Sequence, residues 1–464
     1  MPAERGLYVA ALAPLAAALV ASSPYLGTGP TALTSLLTFG AVAAVGRPES
    51  AEYIALAALL ALMVGVIRVV LGLAKAGFVA YLMSQPLITG FTTGAALVII
   101  ASQIPTILGF PSGSNHPLLA AYEALTRPAL WNPEALALAA GVVSVMLLGQ
   151  RLHRLFPSVL VVVVVAVAYS EASGYDGSTL GTISETLPSL SVDLPWTDIP
   201  QLIVPSLVIA VVGFAEPAAI ARQLATLERS RWDPNRELIG QGLANLASGL
   251  GGGFPAGGSF SRSALMRDLG ARTRIAGAVT GLVVLALTPF LSLLSALPTA
   301  VLGAIVVMLV ADLIEIRTLA DYRRFAPLQF SVAIATLALT VALAPHVERA
   351  VMIGIGLAVG AHLWRELRLS IPAWTSDGEL HLAPKGVLYF ASAPGLEDAF
   401  LRLLHEHRDA RRLIVHLDGL GRVDLTGALV LRGLLRAAHE AGLEAEVVDV
   451  PPQAKTIISR VIEK

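Results

Sequence analysis

"GGGFPAGGSFSRSALMRD" (251–268) runs through three glycines, a Phe-Pro, two more glycines and a serine-rich turn before it places Arg262. Glycine costs about 1 kcal/mol relative to alanine in a helix interior, so this stretch is too glycine-rich to be an ordinary helix. A counterpart stands early in the chain, "SSPYLGTGPTALTSLL" (22–37). Each stretch has a small-residue lead-in, a proline with an aromatic, a glycine-spaced extended piece, and then a short helix rich in Ser or Thr. The two therefore read as an internal repeat. The pieces at 25–29 and 256–260 are expected to pair as a small two-strand element. Two half-helices would then start near Pro30 and Phe260 with their N-termini converging.

The rest of the chain is oily. Of 464 residues, 55% are hydrophobic and 14% are charged, with a mean hydropathy of +0.72. Soluble domains carry about 25% charged residues, so the composition describes a polytopic α-helical membrane protein. Spans of the length a bilayer needs are expected at 6–21, 51–72, 84–104, 134–150, 155–170, 201–221, 274–296, 298–314, 327–344 and 346–364. Shorter or interrupted ones fall at 30–45, 236–250 and 259–269, giving about 13 segments. Long apolar runs stop near "RLSIPAWTSDGEL" (368–380), and eleven of the 32 Lys and Arg lie from position 374 onward. The expected division is a transmembrane transport domain over 1–370 and a cytoplasmic domain over 371–464.

Basic residues orient the spans, because cytoplasmic loops carry the excess of Lys and Arg. With Arg262 set aside, sixteen of the twenty basic residues before the C-terminal domain fall on one side. They are Arg68, Lys75, Arg151, Arg154, Arg222, Arg229, Arg231, Arg236, Arg267, Arg272, Arg274, Arg317, Arg323, Arg324, Arg365 and Arg368. The 171–200 loop, on the other side, has five acidic residues and no basic one. The C-terminal domain is thus expected in the cytoplasm and the membrane domain in the plasma (inner) membrane. Thirteen segments put the N-terminus outside, which predicts that a first helix is missing ahead of Met1.

Converging helix N-termini present free amides and the positive ends of two dipoles, a setting that favours an anion. Ser259, Ser261 and Ser263, with Thr28, Thr31 and Thr34, add hydroxyls. Glycine-rich stretches can also serve close helix packing alone. An intramembrane arginine, at a cost of at least about 2.5 kcal/mol, normally faces a partner or a pathway. Glu216, inside the 201–221 span, is the other notable charge. A carboxylate that changes protonation as a cavity opens to each side can couple proton and anion movement; a plain Glu216–Arg262 ion pair is the alternative. There is no cysteine, and the nine histidines show no metal-ligand spacing; His405 and His407 read as solvated. No cofactor, metal or nucleic-acid partner is expected, and no nucleophile–base pair suggests an enzyme.

The C-terminal part alternates strands and helices: two strands within 379–391, a helix at about 394–407, a strand at 412–418, a helix at 426–442, a strand at 444–450 and a last helix at about 451–463. That is a small α/β domain, with Thr426 expected to cap its second helix.

"PLITGFTTGAALVIIASQIPTILG" (86–109), "NRELIGQGLANLASGLGGGFPAGGSFSRSALMRDLGARTRIAG" (235–277) and "IVHLDGLGRVDLTGALVLRGLL" (414–435) resemble the SulP sulfate-permease family, the solute carrier 26 group. The resemblance implies two inverted seven-helix repeats followed by a STAS domain, and an anion transporter that is often dimeric. It implies that this chain starts just after the family's first helix. Carried over residue by residue, the third-helix start is Gly29, Pro30, Thr31 and Ala32. The tenth-helix start is Ser259, Phe260, Ser261, Arg262 and Ser263, and "GFAEPAAIARQ" (213–223) supplies Glu216 for cation coupling. Thr426 falls in the family's phospho-acceptor loop. The expected function is secondary active transport of a small anion such as sulfate, bicarbonate, chloride or a dicarboxylate like fumarate, by proton-coupled symport with sodium as the other possible coupling ion. A nucleobase carrier of similar fold and a membrane-anchored STAS scaffold are the alternatives. The first lacks a STAS domain and needs no Arg262, and the second needs neither Arg262 nor Glu216.

Overall fold

All thirteen expected segments are helical in the computed structural model, which describes residues 1–43, 45–46, 50–81, 84–114, 116–153, 156–183 and 185–462. Ala44, Arg154, Leu155 and Glu463, which belong to the expected spans, the basic set or the last expected helix, lie outside the described residues. The chain divides into two units, Met1–Ala358 and Val359–Lys464.

The first unit begins with α1 (Ala3–Val20), β1 (Gly27–Gly29), α2 (Ala32–Ala43), α3 (Ala51–Leu73) and α4 (Gln85–Ile107). It continues with α5 (Pro117–Thr126), α6 (Pro133–Leu152), α7 (Ser158–Ser173), α8 (Ile199–Leu227) and α9 (Pro234–Leu250). Then come β2 (Gly257–Ser259), α10 (Phe260–Asp268), α11 (Ile275–Leu287), α12 (Thr299–Ala311), α13 (Ile316–Phe325), α14 (Pro327–Ala342) and α15 (Val347–Glu366), whose last residues belong to the second unit. Two of these, α5 and α13, lie where no span was expected. Among the described residues, seven helices are long and apolar enough to cross a membrane, counting α12 and α13 as one run.

Two groups of helices pack internally: α1, α3, α8, α9 and α11 in one, and α4, α6, α12 and α14 in the other. Helix α3 approaches α9 closely. A Cβ on Gly65 would come within 2.9 Å of the Gly242 carbonyl oxygen, so the two backbones touch where side chains would hold them apart.

The repeat behaves as its sequences suggest. A 12-residue helix such as α2 is about 18 Å long, too short for a hydrocarbon layer of about 30 Å. The extended β1 adds about 10 Å to it, and β2 adds as much to the 9-residue α10. The strands pair antiparallel, Gly27 with Ser259, Thr28 with Gly258 and Gly29 with Gly257. Non-helical backbone at membrane depth must have its polar groups satisfied by protein. One face of α9 does this with Glu237, Gln241, Asn245 and Ser248, all fully buried. Glu237 accepts from the amides of Ser22 and Ser23, Gln241 donates to Thr28 Oγ1 at 2.8 Å, and Ser248 donates to the Phe254 carbonyl. Asn245 donates to the carbonyl of Ala256 at 3.2 Å and accepts from its amide at 2.9 Å. The spacing of four, four and three puts these side chains on one helical stripe.

The second unit has β3 (Ala373–Ser376), β4 (Glu379–Leu382), β5 (Gly386–Leu388), α16 (Ala393–Glu406), β6 (Arg412–His416), β7 (Leu420–Val423), α17 (Leu425–Glu440), β8 (Glu444–Val448) and α18 (Pro452–Val461). The main sheet runs β3-β4-β6-β8, antiparallel at its first pair and parallel thereafter; β5 pairs with β7 separately. Its core joins Leu380, Leu382, Leu413 and Val415 from the sheet to Leu396, Phe400, Leu431 and Ile458 from the helices. Strands β3 and β7 are additions to the expected set. The cap of α17 is a correction: Asp424, not Thr426, accepts from the Gly427 amide, at 2.7 Å. A carboxylate one residue before the helix reaches that amide, whereas Thr426 is already in the first turn and exposed.

Candidate functional site: two half-helix starts on one cavity

The starts of α2 and α10 are built alike. Thr31 Oγ1 accepts from the Thr34 amide at 3.3 Å, and Ser259 Oγ accepts from the Arg262 amide at 3.5 Å. Each hydroxyl caps the third amide of its helix. The amides ahead of it, at Ala32 and Leu33 and at Phe260 and Ser261, have no acceptor within their own helices. The repeat thus makes Thr31 the counterpart of Ser259 and Thr34 the counterpart of Arg262.

Both starts border one cavity of about 1490 Å³. Pro30, Thr31, Ala32, Ser259, Phe260, Ser261 and Arg262 line it, as does Glu216 from α8. Facing them are Thr92, Val98 and Ser102 of α4 and Val306 and Val310 of α12. The cavity lies between the two helix groups and reaches Tyr175–Ser178 of the acidic loop.

Gly29 and Ser263 do not line it. Gly29 backs Arg262: a Cβ there would lie 3.4 Å from Nη2. The Ser263 hydroxyl accepts from the Gly27 amide at 2.9 Å and donates to the Ser259 carbonyl at 2.6 Å, which binds β1 to the first turn of α10. Gly27 itself has no room for a side chain, since a Cβ would meet Arg262 Cβ at 2.6 Å.

Arg262 is half-buried and donates through Nη2 to the Pro30 carbonyl at 2.9 Å, while its Nε is buried without a protein partner. Glu216 is half-buried, directly precedes Pro217 within α8 and sits within electrostatic range of Arg262. Among the described residues no ion pair within 4.0 Å joins them. The site therefore holds a cation and an anion that leave space between them.

One charge lies elsewhere than the sequence suggests. Arg68 belongs to the basic set expected in the cytoplasmic loops, but it is fully buried in α3, 0% exposed. Its Nε and Nη2 donate to the carbonyls of Ala210 and Ile209 on α8, and Nη1 donates to the Ala256 carbonyl just before β2. The apolar run continues five residues past it, through Val70 to Leu73, and that is the signal that it lies within the span. No group of three or more His, Cys, Asp or Glu among the described residues could hold a metal ion.

Comparison with known proteins agrees with this architecture. Residues 1–336 match the sulfate permease family and residues 370–462 match the STAS domain. A Mycobacterium tuberculosis protein named probable sulfate transporter Rv1739c is 35% identical over 335 residues, covering 70% of this chain and 59% of its own. The chloroplastic sulfate transporter 4.1 of Arabidopsis thaliana is 28% identical over 434 residues, covering 86% of this chain and 62% of its own. This chain thus spans less than two thirds of the length of either relative. The murine Slc26a9 anion transporter, solved in the inward-facing state, superposes with a TM-score of 0.86 at 22% identity, over 99% of this chain and 83% of that one. The transmembrane domain of the cyanobacterial bicarbonate transporter BicA gives 0.65 at 23% identity, over 77% and 90%.

Proposed function

We propose, because this chain belongs to the sulfate permease family and carries a STAS domain, that it is a secondary active transporter of a small anion. The observation that carries the proposal is the meeting of two half-helix starts, with their free amides and Arg262, on one cavity between two helix groups. An anion there accepts from the leading amides of α2 and α10 and faces a guanidinium that never loses its charge. Movement of the α1, α3, α8, α9 and α11 group against the α4, α6, α12 and α14 group would present the site to each side in turn. The names of the relatives make sulfate the first anion to try, followed by bicarbonate, fumarate and chloride.

Glu216 is the proposed coupling group. With Glu216 ionised, its charge cancels that of Arg262 and the site is formally neutral; with Glu216 protonated, the site carries one positive charge and suits an anion better. Anion and proton would then cross together as symport, with sodium as the competing coupling ion. We further assign the membrane domain to residues 1–370 and the STAS domain to 371–464, place the latter in the cytoplasm beneath the inner membrane, and take the working unit to be a homodimer.

Uptake of radiolabelled sulfate, bicarbonate, fumarate and chloride into proteoliposomes, with and without an inward proton gradient, tests the reading. The expected result is uptake of at least one anion, stimulated by the gradient and lost in Arg262→Gln. Flux indifferent to the gradient would remove symport. No flux of any anion would favour a membrane-anchored scaffold.

A further inference from the structure

Among the described residues Arg68 has no carboxylate partner. Its three hydrogen bonds all go to backbone carbonyls, and among the described residues no acidic side chain lies within 4.0 Å of it. A fully buried guanidinium bound only to neutral groups keeps its whole positive charge uncompensated by protein. Membrane-buried arginines ordinarily pair or mark a pathway.

Its position gives that charge a direction. Gly213 stands between Arg68 and the start of α2: a Cβ on Gly213 would be 2.9 Å from Arg68 Nη2 and 3.5 Å from Thr34 Cγ2. The guanidinium thus lies directly behind the first turn of α2, with only a glycine between. Thr34 is the repeat counterpart of Arg262. One half-helix carries its cation in its own first turn; the other has a threonine there and a cation placed behind it by α3.

The same side chain fixes distances within the site. Through Ile209 and Ala210 it holds α8, the helix that carries Glu216. Through Ala256 it holds the strand that leads into Ser259 and Arg262. We propose that Arg68 is the second cation of the anion site: a positioning residue that sets α8 against the β1–β2 crossover and supplies fixed positive potential behind α2. This rests on reading the cavity as an anion site. It adds that the positive field comes from both halves of the repeat, although only one half shows an arginine in its motif.

The test uses the full chain in proteoliposomes, with sulfate as probe, or whichever of bicarbonate, fumarate and chloride the wild type takes up fastest. Concentration dependence of uptake and anion-dependent thermal stabilisation are measured for wild type, Arg68→Gln and Arg68→Lys. Arg68→Gln should raise KM at least about 10-fold, a larger effect than on the maximal rate. Arg68→Lys keeps the charge but not the three-way fork, and should bring KM back to within about 3-fold of wild type while the melting temperature stays low. Gln with wild-type KM, or Lys as weak as Gln, would overturn the proposal. Should Arg68→Gln not fold, Gly213→Ala crowds Nη2 and leaves the charge in place. A several-fold rise in KM supports the positioning role and an unchanged KM overturns it. A wild type that neither takes up nor is stabilised by any of the four anions would instead count against the transporter reading itself.

Discussion

Arg262 of α10 donates through Nη2 to the carbonyl oxygen of Pro30 at 2.9 Å, so the cation of one half-helix is held against the residue that leads into the other. The contact crosses the repeat and fixes the two starts to each other. Guanidinium suits the task because it can hold a carbonyl with one N–H and leave others for a ligand. Arg262→Lys keeps the charge as a single compact ammonium and should lower the initial uptake rate about 10-fold; Arg262→Gln, without charge, should lower it about 100-fold or more. Initial rates at saturating anion check both values. Wild-type rates in the Lys variant would show that the Pro30 link has no part in transport.

Glu216 makes a separable prediction. Among the described residues it has no hydrogen-bond or ion-pair partner within reach, so Glu216→Gln removes a titratable proton without breaking a contact. The glutamine mimics the neutral acid. Acid-stimulated uptake should disappear, while anion-dependent thermal stabilisation remains. The sign follows from the charge balance: stimulation in the wild type grows as external pH falls, because protonation leaves Arg262 uncancelled. A Gln variant with unaltered pH dependence would take Glu216 out of the coupling mechanism.

Gly27 reports on the crossover itself. A Cβ there would sit 2.6 Å from Arg262 Cβ, and its amide is bound by Ser263 Oγ at 2.9 Å. Neither neighbour is a flexible chain end that could swing away. Gly27→Ala must push the first turn of α10 from β1 and lengthen the Arg262–Pro30 contact. The expected outcome is membrane insertion and expression near wild type with uptake reduced by at least about 10-fold, read by comparing surface-normalised rates.

How far the sequence carried this picture depends on what was periodic. The half-helices, the strand pair and the alternation of the C-terminal domain leave local marks: glycine and proline punctuation, and hydrophobic runs of bilayer length. Arg68 left a weaker mark, because a positive charge near the end of a span looks like a loop residue unless the apolar run beyond it is weighed. The α9 stripe of Glu237, Gln241, Asn245 and Ser248 was legible as spacing but not as purpose. Ala256 is near in the chain, but the partners Ser22 and Thr28 stand 215 and 213 residues away. The cap of α17 was misplaced by two residues because Asp424 and Thr426 are both good capping types, and only the backbone turn decides between them.

That stripe yields the last prediction. Asn245 satisfies both polar groups of Ala256, and Ala256 also accepts from Arg68 Nη1 at 3.2 Å. Removing the carboxamide leaves a buried amide hydrogen without an acceptor and weakens the hold on the strand that starts the second half-helix. Asn245→Leu, close in size but apolar, should cost about 1–3 kcal/mol for that orphaned group. Asn245→Asp is more telling. The carboxylate still accepts from the Ala256 amide but repels its carbonyl oxygen, and it places a negative charge beside Arg68. If the positive field from Arg68 reaches the anion, the Asp variant should bind anion more weakly than the Leu variant even where it is the more stable of the two. Thermal melts with and without sulfate separate the two effects, and an Asp variant with the tighter anion binding would show that this charge is not felt at the site.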